Sequence, residues 1–272
     1  MKYHEVSFKQ SHNSYDRDED SHVTLTFHSD DLGNAGCRGL EYDIWRHSDA
    51  TGGKSIGYFT VAHTGGGGPP FASYLGYLQS WHLANPRHDV IFVTVDIKSS
   101  GGSKEVFPDE IDTYMREWFN EKLVFTPRHL SPLSDDFVAY VKKNGWPEVD
   151  SLRGRFIFCL SGNNDWKSFY AKTNARRRLC FVDADFDDSK RATVPTRGQR
   201  IIYSSNLYTS NAGTWQESIG SLRAANLIVR GYVLNGEGLW GKAKAGKLNL
   251  FATDKITGHG WAHVGATPFV VL

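Results

Sequence analysis

Nine short apolar runs recur along this chain with helix-compatible stretches between most of them, an alternation produced by strands feeding a mostly parallel sheet. The predicted strands are Glu5–Lys9, Gly39–Trp45, Gly57–His63, Val90–Lys98, Arg155–Ser161, Leu179–Asp183, Arg200–Ser204, Leu227–Val233 and Leu248–Thr253. Phe71–Ala84 and Pro108–Phe119 carry apolar residues every three or four positions, as crossover helices do. Pro108-Asp109-Glu110 suits a first turn, where proline is tolerated and carboxylates complement the helix dipole. A chain of 272 residues matches a closed α/β barrel, which takes about 250 residues as one domain, so a single barrel over residues 1–272 is expected. One of the nine strands must then be peripheral or wrong. Gly-rich loops stand at Thr64–Pro70 and Ser99–Gly102, and no repeat or linker divides the chain.

Charge narrows the partners. With 31 Lys+Arg against 30 Asp+Glu, the net charge of +1 lacks the basic surplus of a nucleic-acid binder. No stretch approaches the ~20 apolar residues needed to cross a bilayer, and no apolar run follows Met1 as a signal peptide would. Cys37, Cys159 and Cys180 sit beside apolar residues without ligand-like spacing, so buried free thiols are expected and the compartment cannot be read from them.

Polar residues gather at the ends of the first four predicted strands, which in a barrel open on one face. His12 and Asn13 follow the first; alone, such a pair is usually a turn. In the second, period-two alternation puts Glu41 and Asp43 on one side and Leu40, Tyr42 and Ile44 on the other. Two carboxylates about 7 Å apart on an apolar strand need a cation, either a divalent metal or an arginine such as Arg38 or Arg46. His63 ends the third strand and runs into four glycines, where a phosphate could approach backbone closely or where a plain surface loop would stand. The fourth places Asp96 and Lys98 on the side of Thr94, opposite Val93, Val95 and Ile97; such a pair often only neutralises itself.

Ser11-His12-Asn13-Ser14-Tyr15, Gly36 to Trp45 and Val61-Ala62-His63 together resemble the X-region signature of phosphoinositide-specific phospholipase C. Phe125-Thr126-Pro127, Trp146 to Arg155 and Phe251-Ala252-Thr253-Asp254 resemble its bacterial, calcium-dependent branch. The resemblance implies a TIM-like (β/α)8 barrel, often distorted, bound Ca2+, and cleavage of phosphatidylinositol to diacylglycerol and inositol 1-phosphate or its 1,2-cyclic form. It implies two catalytic histidines, His12 and His63, and the calcium ligands Asn13, Glu41, Asp43 and Asp96. Glu41 or Asp43 would be the general base, and Lys98 and Arg230 would contact substrate. Calcium-independent relatives carry an arginine in place of the metal, and the Glu41-x-Asp43 pair argues against that branch. A secreted, monomeric enzyme acting transiently at a membrane surface follows from the same resemblance.

Two other classes compete. A glycerophosphodiester phosphodiesterase or sphingomyelinase D would share the barrel, the Glu-x-Asp pair and two histidines, but usually has arginine or methionine where Asn13 stands. A catalytically retired barrel that binds inositol or lipid is the non-enzyme alternative. Asn163, Asp183, Asp185, Arg230 and Asp254 read chiefly as core or rim structure, and Arg176-Arg177-Arg178 as a solvated helix end. Phe71, Tyr74, Trp166 and Trp240 are candidate membrane-contacting rings, each weighed against packing beneath its own loop.

Overall fold

The computed structural model describes residues 1–15, 36–47, 58–98 and 104–272. The predicted start of the third strand at Gly57 and the loop Ser99–Gly102 lie outside the described residues. Among the described residues ten strands form: β1 (Val6–Ser11), β2 (Gly39–Arg46), β3 (Phe59–Val61), β4 (Ile91–Ile97), β5 (Phe156–Gly162), β6 (Phe181–Asp185), β7 (Ile202–Asn206), β8 (Ile228–Tyr232), β9 (Leu250–Thr253) and β10 (Val270–Val271). Every predicted strand is present, with ends shifted by one or two residues.

Eight of them, all but β3 and β10, run parallel around a closed barrel in the order β1-β9-β8-β7-β6-β5-β4-β2. Closure back to β1 rests on a single pair, Gln10 opposite Gly39. The peripheral strand is β3, which pairs antiparallel with β2 through Ile44–Val61 and Arg46–Phe59. A short β10 adds antiparallel to β1, and the sequence pattern had not indicated it. The helices Phe71–Ala84 and Phe107–Trp118 form where the apolar spacing puts them.

Strand parity separates two environments. Leu40, Tyr42, Ile44, Val93, Val95 and Ile97 point outward into the apolar layer beneath those two helices. Glu41, Asp43, Thr94 and Asp96 point inward. Phe71, Trp166 and Trp240 are fully or almost fully buried and Tyr74 is 8% exposed, which removes them as membrane-contacting rings. Each packs under its own segment: Phe71 and Tyr74 on Tyr42, Trp166 on Phe107, and Trp240 on Phe251. The three cysteines are buried and form no disulfide.

Gly39 is the tight point of closure. A Cβ there would lie 2.8 Å from both Cβ and Cγ of Gln10, inside van der Waals contact. Gly39→Ala is expected to destabilise the fold by about 1–3 kcal/mol through this overlap. Gly76→Ala, inside the helix Phe71–Ala84 with open space around it, should stabilise by about 0.5–1 kcal/mol. Denaturant midpoints of the two variants check this, and equal shifts would refute the closure argument.

Candidate active site

A cleft of about 420 Å³ opens where the barrel strands end, lined by His12, Asn13, Glu41, His63, Asp96 and Lys98 among others. One of its histidines follows a barrel strand and the other the peripheral one. His12 follows β1, and its N–H donates to Thr253 O at the end of β9 (3.0 Å). Its ring contacts Asp254 Oδ1 through Nδ1 at 2.9 Å, so Nε2 is left facing the cleft, 3.9 Å from Glu41 Oε2. Tyr232 lies parallel to the His12 ring at 6.3 Å between centroids and also carries the Arg230 guanidinium over its face.

His63 does not end a barrel strand, as the sequence reading supposed. It follows β3, which runs back against β2, and the turn is held by Ala62 N donating to Asp43 O at 3.0 Å. The return is tight: a Cβ on Gly68 would fall 1.7 Å from Val61 O. His63 Nδ1 comes to 3.4 Å from Asp43 Oδ2 while its side chain stays 58% exposed.

Between the histidines, Glu41, Asp43 and Asp96 each offer a carboxylate oxygen, all within 4.8 Å of one another. Asp43 and Asp96 are paired in register on β2 and β4. Gly162 on β5 makes room, since a Cβ there would lie 2.0 Å from Asp96 Oδ1. Burial, then the neighbouring Glu41, raises the Asp43 carboxyl above its usual range. Burial pushes Asp96 up to about 6 against the pull of Lys98.

The compensating cations are not those the sequence suggested. Arg38 pairs with Asp89 and Arg46 with Glu110, both away from the cleft. Instead Arg230 Nη2 lies 2.8 Å from Glu41 Oε2, and Lys98 Nζ lies 3.0 Å from Asp43 and 3.3 Å from Asp96. Burial opposes the charge on Lys98, but Asp96 and Asp43 hold its ammonium above the ordinary lysine range. Three carboxylates thus face two cations, and Asp43 Oδ1 and Asp96 Oδ1 are buried without a hydrogen-bond partner. That surplus of hard oxygen donors fits a calcium ion. Asn13 stands beside them in a left-handed conformation (φ 51°) that asparagine tolerates, its N–H 3.4 Å from Glu41 Oε2.

Several residues earlier read as structural divide. Asn163 caps the helix Asn164–Lys172, and Asp183 forms a buried pair with Lys167 at 2.8 Å. Asp185 lines the cleft while its carboxylate holds Lys167 at 2.9 Å, and Asp254 touches His12 directly. Sequence reasoning missed Tyr232 and Lys167; Tyr232 could have been found, because it shares the face of Arg230 two residues earlier on β8. Arg178 is no solvated helix end, being buried against Asp109 and Asp112.

If Asp254 steadies His12, Asp254→Asn should reduce kcat by about 10²–10⁴-fold, because a neutral amide no longer balances the positive charge of a ring protonated at both nitrogens. Turnover within about a factor of two of wild type would show that His12 acts without that contact.

Comparisons with known proteins bear on the fold and the family. The family model for Ca2+-dependent phosphoinositide phospholipase C matches residues 62–199. A comparison with curated proteins gave no match. Among solved structures, the chain is similar to a calcium-dependent phosphoinositol-specific phospholipase C from Pseudomonas sp, in its apo form with myo-inositol. The TM-score is 0.75 at 20% identity, over 100% of this chain and 96% of that one. A calcium-dependent phosphatidylinositol-specific phospholipase C from Streptomyces antibioticus gives 0.68 at 16% identity, over 93% and 95%. A glycerophosphodiester phosphodiesterase from Parabacteroides distasonis gives only 0.51 at 11%, over 92% and 93%. These likenesses establish the barrel, and the family model, which spans half the chain, establishes the rest: this chain belongs to the Ca2+-dependent phosphoinositide phospholipase C family.

Proposed function

We propose that the chain cleaves phosphatidylinositol at the bond between phosphorus and the diacylglycerol oxygen. The inositol 2-hydroxyl attacks phosphorus within the same molecule, giving diacylglycerol and inositol 1,2-cyclic phosphate, which water then opens to inositol 1-phosphate. The observation that carries this reading is the pair of histidines on either side of a largely buried carboxylate triad in one cleft.

Asn13, Glu41, Asp43 and Asp96 would hold the calcium ion. When bound, it supplies positive charge against the phosphoryl oxygen and the 2-hydroxyl. Glu41 or Asp43 takes the 2-hydroxyl proton, and Lys98 and Arg230 contact the phosphate or inositol oxygens. His63, exposed at the cleft edge, donates a proton to the departing diacylglycerol oxygen. His12, protonated at Nε2 and steadied by Asp254, hydrogen-bonds the non-bridging oxygens as charge builds. The Asp254 contact also supports a second role, in which neutral His12 accepts the 2-hydroxyl proton at Nε2.

At a membrane, the mouth must meet the headgroup while the acyl chains stay in the bilayer. With the four buried rings removed, Val106, Tyr208 and Val233 are the exposed apolar side chains at this end among the described residues. No described helix is long and apolar enough to cross a membrane, which accords with transient surface contact. A single secreted protomer would suffice for it.

Phosphorus NMR of the products from phosphatidylinositol, run with calcium and with EGTA, tests the reading. Chelation should abolish the cyclic phosphate signal, calcium should restore it, and Asp43→Asn should raise the calcium concentration needed by orders of magnitude. Full turnover in EGTA would reject calcium dependence. His63→Ala should lose most activity on phosphatidylinositol but much less on a substrate whose leaving group needs no proton. Equal losses on the two substrates would remove His63 as the acid, and His12→Ala should lose both activities.

A further inference from the structure

A second concavity, of about 510 Å³, opens at the far end of the barrel from the catalytic cleft. Arg116 reaches it from the last turn of Phe107–Trp118, and Lys122 and Arg128 come from the segment that follows. That segment is anchored at the start of β5 by Phe125 N donating to Phe156 O at 2.8 Å. Arg176, Arg177 and Arg178 enter just ahead of β6. Strands of this length, at about 3.3 Å per residue, put roughly 20 Å between the groove and the carboxylate triad.

Six cationic side chains therefore meet the single carboxylate of Glu121 in the groove, in a chain whose net charge is only +1. Some of that charge is already engaged. Arg178 pairs with Asp109 at 2.6 Å and Asp112 at 3.2 Å, Arg116 with Glu121 at 2.8 Å, and Arg176 lies 3.7 Å from Asp135. Lys122, Arg128 and Arg177 have no carboxylate within ion-pair distance among the described residues. His129, also in the lining, accepts the Thr126 N–H at Nδ1 (3.0 Å), so its own ring proton sits on Nε2 and can be donated. Burial, and then the nearby Arg155 and Arg128, lower its pKa.

We propose that this groove is a second, non-catalytic anion site for a soluble ligand carrying two or more phosphate groups. Guanidinium forks match phosphate oxygens two at a time, and three unengaged cations spread over a groove this size exceed what one phosphate can neutralise. The same chemistry could come from a polyphosphorylated lipid headgroup. The soluble source is favoured because a barrel whose mouth meets the bilayer turns this end toward solvent, a step that rests on the proposed function; the anion site itself does not.

The test titrates inorganic tripolyphosphate into the full chain by calorimetry without calcium, so that binding is read independently of turnover. Wild type should bind one equivalent with an affinity that falls as salt rises. Lys122→Glu/Arg128→Glu/Arg177→Glu should weaken binding at least about tenfold and leave phosphatidylinositol cleavage unchanged. Arg128→Gln/Arg177→Gln gives the same direction with less charge disturbance, should the reversal perturb folding. No heat of binding in wild type, or full affinity in both variants, would overturn the proposal. Sedimentation with phosphatidylcholine vesicles containing phosphatidylinositol 4,5-bisphosphate distinguishes the sources. Groove-dependent vesicle binding without tripolyphosphate binding would assign the groove to lipid and overturn the soluble ligand.

Discussion

Glu41 and Asp43 are buried, with the half-buried Asp96 beside them, within one end of the barrel, and much of that end is arranged around their mutual repulsion. Removing a carboxylate from water costs several kcal/mol unless a cation or hydrogen bonds compensate it. Arg230 supplies one cation from across the barrel, and Gln10 holds it there by accepting from its Nε at 2.7 Å. Gln10 in turn donates to Leu40 O and Thr94 Oγ1, each at 2.8 Å, so one fully buried amide joins β1, β2, β4 and β8. Gly39 lets that amide approach β2. The closure of the barrel and the support of its charged site thus pass through the same two residues.

The compensation is incomplete by design of the donor set rather than by loose packing. Lys98 and Arg230 are both engaged, yet Asp43 and Asp96 remain above the ordinary carboxylate range. A fully hydrogen-bonded cluster would resemble Lys167 with Asp183 and Asp185, where a completely buried ammonium reaches both carboxylates and Ser161 adds a hydrogen bond at 2.8 Å, so that each of the four oxygens has a partner. Only β5 stands between the two clusters, and the contrast separates carboxylates whose oxygens are all bonded from a site that leaves oxygens of Asp43 and Asp96 without a hydrogen-bond partner.

Local alternation made part of this legible in the sequence. The parity of Glu41 and Asp43 against Leu40, Tyr42 and Ile44 follows from the two-residue period of any strand, whichever neighbours it has. Strand direction does not follow from that period. Val61-Ala62-His63 therefore looked like another barrel strand end, although β3 is antiparallel and peripheral. Contacts distant in sequence were equally hidden: His12 and Asp254 are 242 positions apart, and only closure of β9 onto β1 brings them together. The aromatic residues near predicted loops misled in the opposite sense, because composition reports that a ring is present and tertiary packing decides which way it points.

The two histidines differ in construction as their proposed tasks differ. His12 is held from three sides, by the backbone of Thr253, by the carboxylate of Asp254 and by the stacked ring of Tyr232. Asn235 reinforces the hold, its side-chain oxygen accepting from Asp254 N at 2.8 Å and from Thr253 Oγ1 at 2.9 Å. A group that must meet charge developing on phosphorus gains from being fixed before the reaction begins. Among the described residues His63 has Asp43 at 3.4 Å and the Tyr15 hydroxyl at 3.5 Å beside its ring, and more than half of its side chain is exposed. A group that must reach an oxygen still attached to a lipid, and then release it, gains from that freedom. Placing one histidine at the end of a barrel strand and the other on an antiparallel appendage gives each the stiffness its proposed step requires.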